Sequence, residues 1–326
     1  MATDDSLSVW LDAVRSTSFL DVGRYASVLA LGAFCENVAL TARSLGLVHQ
    51  MEENPDVTLD APMVRFRFDA RRAAEAHPLH AMIGLRCTNR RPHEGAAIGA
   101  DVMEALAAAL ADDAELAYSR DDDRKRDAAR ILAEADVLRM RHRLLHRQMW
   151  EEVRFGADEV ERTRDGVDVA TLELPPGAAE AMAAFTDYDF VSQNISDEQL
   201  LGMSVPPLEA SSQLCCLSLS GPPDARSLLA AGRGLQRLWL TATRLELALQ
   251  PWAVLPFFLL RQRFFAGEGF ADQERATLSD LGRRLAAVFA LADDAVPLFT
   301  FRLARCGPPS KRALRLDWRS YTTVNG

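Results

Sequence analysis

The segment Arg86-Cys-Thr-Asn-Arg90 sets two guanidiniums and a hydroxyl at alternate positions of a polar stretch. In an extended turn, Arg86, Thr88 and Arg90 can converge on one anion. A phosphate monoester, with up to two negative charges, suits such a fork of donors. The same residues would also serve as plain ion-pair partners for the acidic loops around them. The helix expected at Ala100–Ala111 begins too late to add its N-terminus. Near the other end, Lys311 and Arg312 supply further positive charge, with Arg315 and Arg319 close behind them in a basic tail.

Other arrangements are weaker. His142-Arg-Leu-Leu-His146 puts two imidazoles one helical turn apart, a zinc-binding spacing. Arg139, Arg141, Arg143 and Arg147 crowd the same stretch and would repel a dication, so a polar helix face is the better reading and no metal site is expected. His77-Pro-Leu-His80 reads as turn chemistry. Gly232-Arg-Gly234 lies inside a helical pattern and lacks the strand and turn of a dinucleotide fingerprint. Cys35 and Cys87 have no histidine nearby in sequence. Trp239, Trp252, Phe257 and Phe258 are candidates to line a planar-ligand pocket, with core packing the stronger reading. No catalytic dyad is visible.

These residues must be positioned by elements that occur twice. Ser27–Leu47 (SVLALGAFCENVALTARSLGL) and Ser227–Leu247 (SLLAAGRGLQRLWLTATRLEL) are identical at nine of 21 positions, at a shift of 200 residues. Chance in Ala/Leu-rich sequence gives roughly two or three. Downstream, Pro62–Phe68 (PMVRFRF) resembles Pro297–Leu303 (PLFTFRL). Each half thus offers a long apolar helix followed by a strand, the pattern of a dimer fused into one chain, with an interface where a ligand can sit. Helices 24–45 and 224–247 are expected to pack about a pseudo-twofold axis, with Leu31, Val38 and Leu45 facing Leu228, Leu238 and Leu245.

Strands are further expected at 7–11, 48–51, 63–68, 212–220 and 297–303, where apolar residues alternate between turn signals. Helices are expected at 71–83 with a break near Pro78, at 100–111, as one long element over 127–153, from 175 onward, and at 272–291. The densely charged stretch 112–127 reads as a solvated turn, and 198–211 as irregular. Strands separated by helices give an α+β protein in layers.

Composition bounds the rest. The chain has 326 residues, 48% hydrophobic and 25% charged, a globular balance with room for a sizeable core. A net charge of −9 argues against nucleic acid or an anionic membrane as partner. No signal sequence is visible, and no apolar run is read as reaching the length of a membrane span. Five scattered cysteines, two of them adjacent at Cys215 and Cys216 and expected on opposite faces of a strand, read as reduced thiols of a cytoplasmic protein.

The repeated Ala-Leu-Gly helix, the Arg86-Cys-Thr-Asn-Arg90 segment and Pro309-Ser-Lys-Arg312 together resemble the nitroreductase superfamily, FMN-dependent flavoproteins that normally dimerise. The helix resembles the family's interface helix, and Arg86–Arg90 its Arg-Arg-Ser-x-Arg phosphate motif. Pro309–Arg312 resembles the basic segment that reaches the same phosphate. The internal duplication is similar to that of the double-length, single-chain Acg-type proteins of actinobacteria, and to modules that follow ThiF-type adenylating domains. The resemblance implies a nitroreductase-like layered sandwich of two pseudo-symmetric halves: residues 1–84, shortened at the N-terminus, and 85–326, with an acidic helical insertion around 112–150. It implies FMN held at Arg86, Thr88, Arg90, Lys311 and Arg312. The Ala-Pro-Ser-x-x-Asn-x-Gln-Pro-Trp segment that holds the flavin ring in this subgroup has no counterpart in the sequence. The expectation is a phosphate clamp without its ring clamp, and weak FMN binding unless a protein partner supplies that segment.

The activity this implies is an oxidoreductase using NAD(P)H or a substrate hydride on a small-molecule substrate. The alternatives are a degenerate flavin-binding protein and a non-catalytic partner subunit of an adenylating or nitroreductase-like enzyme.

Overall fold

The computed structural model describes residues 5–70, 75–111 and 113–324. In chain order the elements are β1 (Ser6–Val9), α1 (Tyr25–Ser44), β2 (Val48–Glu53), β3 (Val64–Asp69), α2 (Ala100–Ala107), β4 (Ala114–Tyr118), α3 (Asp122–Arg141), α4 (Arg143–Glu151), β5 (Val153–Arg154), α5 (Ala157–Thr163) and β6 (Val167–Asp168). They continue with α6 (Ala178–Met182), α7 (Tyr188–Asn194), α8 (Asp197–Glu209), β7 (Gln213–Ser220), α9 (Ala225–Arg244), β8 (Leu247–Pro251), α10 (Val254–Phe264), α11 (Asp272–Phe289) and β9 (Ala295–Arg305).

The same four-element unit is laid out twice. In the first half, β1 leads into α1, then β2 and β3, and the antiparallel sheet runs β1-β3-β2. In the second half, β7 leads into α9, then β8 and β9, and the sheet runs β4-β7-β9-β8, again antiparallel. The last strand of each unit is central in its sheet, so β3 and β9 occupy equivalent places. The second unit differs by β4 on its edge and by α10 and α11 inserted before β9. The expected α+β layering in two pseudo-symmetric halves is the observed architecture.

The two long helices pack on each other along their lengths, as the repeat requires. Val28, Leu31 and Leu228 share one buried core with the partly buried Val38, whereas Leu238 and the partly buried Leu245 turn instead to the core under α2 and the second sheet. Leu45 lies 70% exposed at the C-terminal end of α1, where the chain leaves the helix through Gly46 at φ +75°. A helical stretch over 22–44 is in fact long and apolar enough to cross a membrane; half of its apolar window is buried inside the molecule, as befits a central core helix.

The second sheet is covered on both faces. Cys215, Phe301 and Leu303 join the core under α2 and α9, whereas Leu214 and Cys216 join the core under α3, α8, α10 and α11. The adjacent cysteines therefore point to opposite faces, and all five thiols are free.

Several expectations change. The stretch read as one helix over 127–153 is two, α3 and α4, broken at His142, whose ring accepts the Leu145 amide and caps α4. The charged stretch read as a turn holds β4 and the first turn of α3, which Asp121 caps. The segment read as irregular is α8, begun by a reciprocal Ser196–Gln199 capping box. Its Pro206 and Pro207 hid it in the sequence; both lie in the last turns, where each leaves the preceding turn one amide donor short. Only a short 3-10 turn at Pro78–Met82 occurs near the helix expected over 71–83, whose first residues lie outside those described.

Candidate functional site

Two neighbouring features have the makings of a site: a basic knot and an apolar cavity. The knot joins three segments that are far apart in sequence. Asn89 donates through Nδ2 to the Gly307 carbonyl at 3.0 Å, and Arg90 donates through Nη1 to the Thr171 carbonyl and hydroxyl at 3.0 and 3.2 Å. Lys311 pairs with Asp168 at 2.8 Å, and Ser310 donates its amide to Glu173 at 2.7 Å. Arg312 donates to the Gly84 and Leu85 carbonyls, both at 2.8 Å, just before Arg86.

The basic residues singled out in the sequence thus meet, though in different states. Arg90 and Lys311 are engaged by Thr171 and Asp168. Arg86 sits over the buried Trp239 ring, its Cζ 4.3 Å from the ring centroid. Burial, then the nearby Arg315, and lastly Arg312, bring its guanidinium down to about 10. Among the described residues no acid pairs with Arg86, Arg312 or Arg315. Thr88 is half-buried between the two arginines.

The cavity adjoins this knot through Arg302, a fully buried side chain on β9. Its Nε donates to Gln250 Oε1 at 2.5 Å, and its Nη atoms donate to the Pro207 carbonyl at 3.2 Å, the Arg91 carbonyl at 3.1 Å and the Arg90 carbonyl. Gln250 lines the cavity, as does Leu172, next to the Thr171 that Arg90 holds. The position of Arg302 corresponds to Arg67 in the repeated motif, which stays on the surface.

The cavity has a volume of about 510 Å³, within the range of small-molecule sites. Its walls are mainly apolar. Met140 of α3, Met149 and Trp150 of α4, Phe185, Met203 of α8 and the Pro251–Val254 turn contribute most of them, with Phe257 of α10. Of the four aromatic residues weighed for a planar-ligand pocket, Trp252 and Phe257 line it, Phe258 is core, and Trp239 carries Arg86.

Its polar points are Asp136 and Arg139, one helical turn apart on α3, with Ser204 and Gln250; the exposed Glu152 stands at its edge. Trp252 donates through Nε1 to Asp136 Oδ2 at 2.9 Å, and Ser204 also bonds this carboxyl. Burial raises the Asp136 carboxyl to about 6 against the pull of Arg139. Burial also lowers Arg139, and its Nε is enclosed without a hydrogen-bond partner among the described residues. Sequence reasoning missed both residues, because on an arginine-rich helix they looked like two more surface charges. His142 and His146 face the Gly269 and Phe185 carbonyls, and no metal-binding group of side chains occurs among the described residues.

No family model matches the chain. Among curated proteins it is 29% identical over 320 residues to the uncharacterized protein MT1398 of Mycobacterium tuberculosis, covering 95% of this chain and 43% of that protein. The chain therefore spans less than half the length of this relative. Among solved structures it is similar to a nitroreductase with bound FMN from Bacteroides fragilis (12% identity, 77% of this chain and 100% of that one, TM-score 0.40). It is also similar to a BluB-like flavoprotein from Clostridium difficile (10%, 77% and 100%, 0.42). A third is the FMN-dependent nitroreductase NfnB from Mycobacterium smegmatis in complex with NADPH (17%, 75% and 96%, 0.38).

Proposed function

We propose that the chain is a nitroreductase-like flavoprotein module: two fused halves, 1–84 and 85–326, that hold FMN and serve an oxidoreductase using NAD(P)H or a substrate hydride. The observation that carries this reading is the group Arg86, Arg312 and Arg315, three guanidiniums gathered without an acid partner among the described residues. An unpaired, partly buried cluster of this kind is a site for a multiply charged anion such as a phosphate. The donor set fits that end of the cofactor: Arg86 and Arg312 would hold the phosphate, with Thr88 beside them. Arg90 and Lys311 reach it by sharing their bonds to Thr171 and Asp168.

When bound, FMN supplies two-electron chemistry at its ring. The chain's own residues have simpler duties. Trp150, Trp252 and Phe257 exclude water from the cavity, Gln250 is tied to Arg302, and Asp136, whose carboxyl loses its proton around pH 6, is a hydrogen-bond acceptor at neutral pH. The reading also places this protein, with its free thiols, in the cytoplasm.

One observation favours a second reading, a module that works only beside another protein or domain: the relative is more than twice as long as this chain. The sequence contains no Ser-x-x-Asn-x-Gln-Pro-Trp segment, so the ring would be completed from elsewhere. Adding FMN to the purified chain, followed by gel filtration and a visible spectrum, separates the cases. Flavin retained with NAD(P)H oxidation supports the first reading. Flavin retained only with a partner supports the second. A chain that stays colourless with and without partners, at saturating FMN, overturns both.

A further inference from the structure

We propose that the cavity recognises the edge of a planar heteroaromatic lactam, a ring C=O beside a ring N–H, with Arg139 donating to the carbonyl and Asp136 accepting from the N–H. The inference rests on the flavin reading only in that an isoalloxazine ring is one source of such an edge; a separate lactam substrate is the other.

Two arginines, Arg302 fully buried and Arg139 with its Nε enclosed, make the case by contrast. Arg302 places its donors on Gln250, Pro207, Arg90 and Arg91, which is how a structural arginine satisfies itself. Arg139 makes no hydrogen bond or ion pair within the described part of the molecule, and its Nε is sealed from solvent. A guanidinium with one N–H enclosed and unmet is costly to hold unless a ligand meets it. Asp136 lies one turn away on the same helix face yet does not close an ion pair with it. Two opposite charges held apart in an apolar cavity form a donor and an acceptor waiting for a partner with both.

The charges also select the ligand. A carboxylate or phosphate drawn to Arg139 would be repelled by Asp136 and by Glu152 at the edge. A cation drawn to Asp136 would meet Arg139. A neutral edge carrying one acceptor and one donor satisfies both. Asp136 is fixed for this by Trp252 and Ser204 and keeps lone pairs to spare. The walls set the shape: Trp150, Trp252 and Phe257 offer flat faces, and Met149, Met182 and Met203 fit themselves around a ring.

The test is direct binding, read by quenching of tryptophan fluorescence. The probes are lumiflavin, which has the lactam edge but no phosphate, its N3-methyl derivative, which lacks the N–H, and quinazolinone, a lactam that is not a flavin. Lumiflavin should bind saturably, and the N3-methyl derivative at least about tenfold more weakly. Arg139→Met should weaken lumiflavin by a similar factor. Should that variant fail to fold, the ratio of the two ligands on the unaltered protein still decides. Equal binding of lumiflavin and its N3-methyl derivative, or unaltered binding to a folded Arg139→Met, overturns the proposal. Retained FMN without lumiflavin binding sinks this inference and leaves the flavin reading standing. Binding of lumiflavin or quinazolinone by a chain that loses FMN on gel filtration does the reverse. Quinazolinone excluded by bound FMN identifies the flavin ring as the natural source of the edge; quinazolinone binding beside FMN identifies a separate lactam substrate.

Discussion

Gly32 of α1 and Gly232 of α9 cross each other with no room for a side chain on either. A Cβ on Gly32 would sit 2.3 Å from the Leu229 carbonyl oxygen, and one on Gly232 would sit 2.0 Å from the Leu29 carbonyl oxygen. The contact is reciprocal: each glycine meets the counterpart of the residue that its partner meets, which is the signature of a twofold interface. Backbone cannot yield as a flexible side chain would. Gly232→Ala should therefore cost about 2–4 kcal/mol or prevent folding. Gly202→Ala, on an exposed face of α8 with nothing within 4 Å, should be neutral or stabilising by up to about 1 kcal/mol. Urea unfolding of the two variants checks the contrast.

A second reciprocal pair sits four residues along. Arg237 donates to Glu36 Oε2 at 2.9 Å, and Gln236 donates to Asn37 Oδ1 at 2.7 Å, so positions 36 and 37 of one half meet 237 and 236 of the other. Arg233 adds a third contact to Glu36 at 3.0 Å. Glu36 is only 5% exposed, and its removal leaves two half-buried cations unpaired. Glu36→Ala should lose about 2–3 kcal/mol, and Glu36→Gln less because it keeps an acceptor. Thermal unfolding of both variants measures this.

The central packing was legible because a repeat declares itself: residues 200 apart matched, and matched helices in a fused pair have one natural way to meet. The strands showed as alternation, including the adjacent Cys215 and Cys216 on opposite faces. What stayed hidden depends on distant partners. Asp136 becomes a cavity group only because Trp252, 116 residues later, folds over it. Arg302 holds the strand position that Arg67 holds on the surface, and only α8 and the Arg90 segment, distant in sequence, cover it. The α8 helix was masked by two prolines, although its Ser196–Gln199 box stood in plain sequence. The basic segments were legible as residue types; that Arg90 and Lys311 turn inward depends on Thr171 and Asp168, in a region with no sequence signal.

Asp136 gives the fold a pH signature. Its carboxyl is raised from 3.8 to about 6 in the folded protein, so the native state holds this proton more tightly than the unfolded chain. The resulting stability is fully present below the unfolded value and is lost as pH rises through about 6. In Asp136→Asn this dependence disappears. Relative to the unaltered protein, the variant should gain stability between about pH 4 and about pH 7, by about 3 kcal/mol at most. Denaturant unfolding across that range checks it. A constant difference between the two proteins would show that Asp136 titrates as an ordinary surface carboxylate.

Arg86 and Arg90 should separate ligand binding from stability. Arg86 rests on the Trp239 ring and has no acid partner among the described residues, so its charge is available to an anion. Arg90 ties its segment to the Thr171 carbonyl and hydroxyl. If the phosphate of FMN binds this knot, Arg86→Ala should weaken FMN by about 1.5–3 kcal/mol, roughly ten- to hundredfold. The melting temperature should fall modestly, since a cation–π contact over a buried ring is worth about 1–2 kcal/mol. Arg90→Ala should lower stability by about 1–2 kcal/mol through its two lost hydrogen bonds. Its effect on FMN should be the smaller of the two, because its guanidinium is already shared. Flavin fluorescence titration and thermal melts on both variants give the comparison. Unchanged FMN affinity in Arg86→Ala would remove the phosphate assignment from this segment.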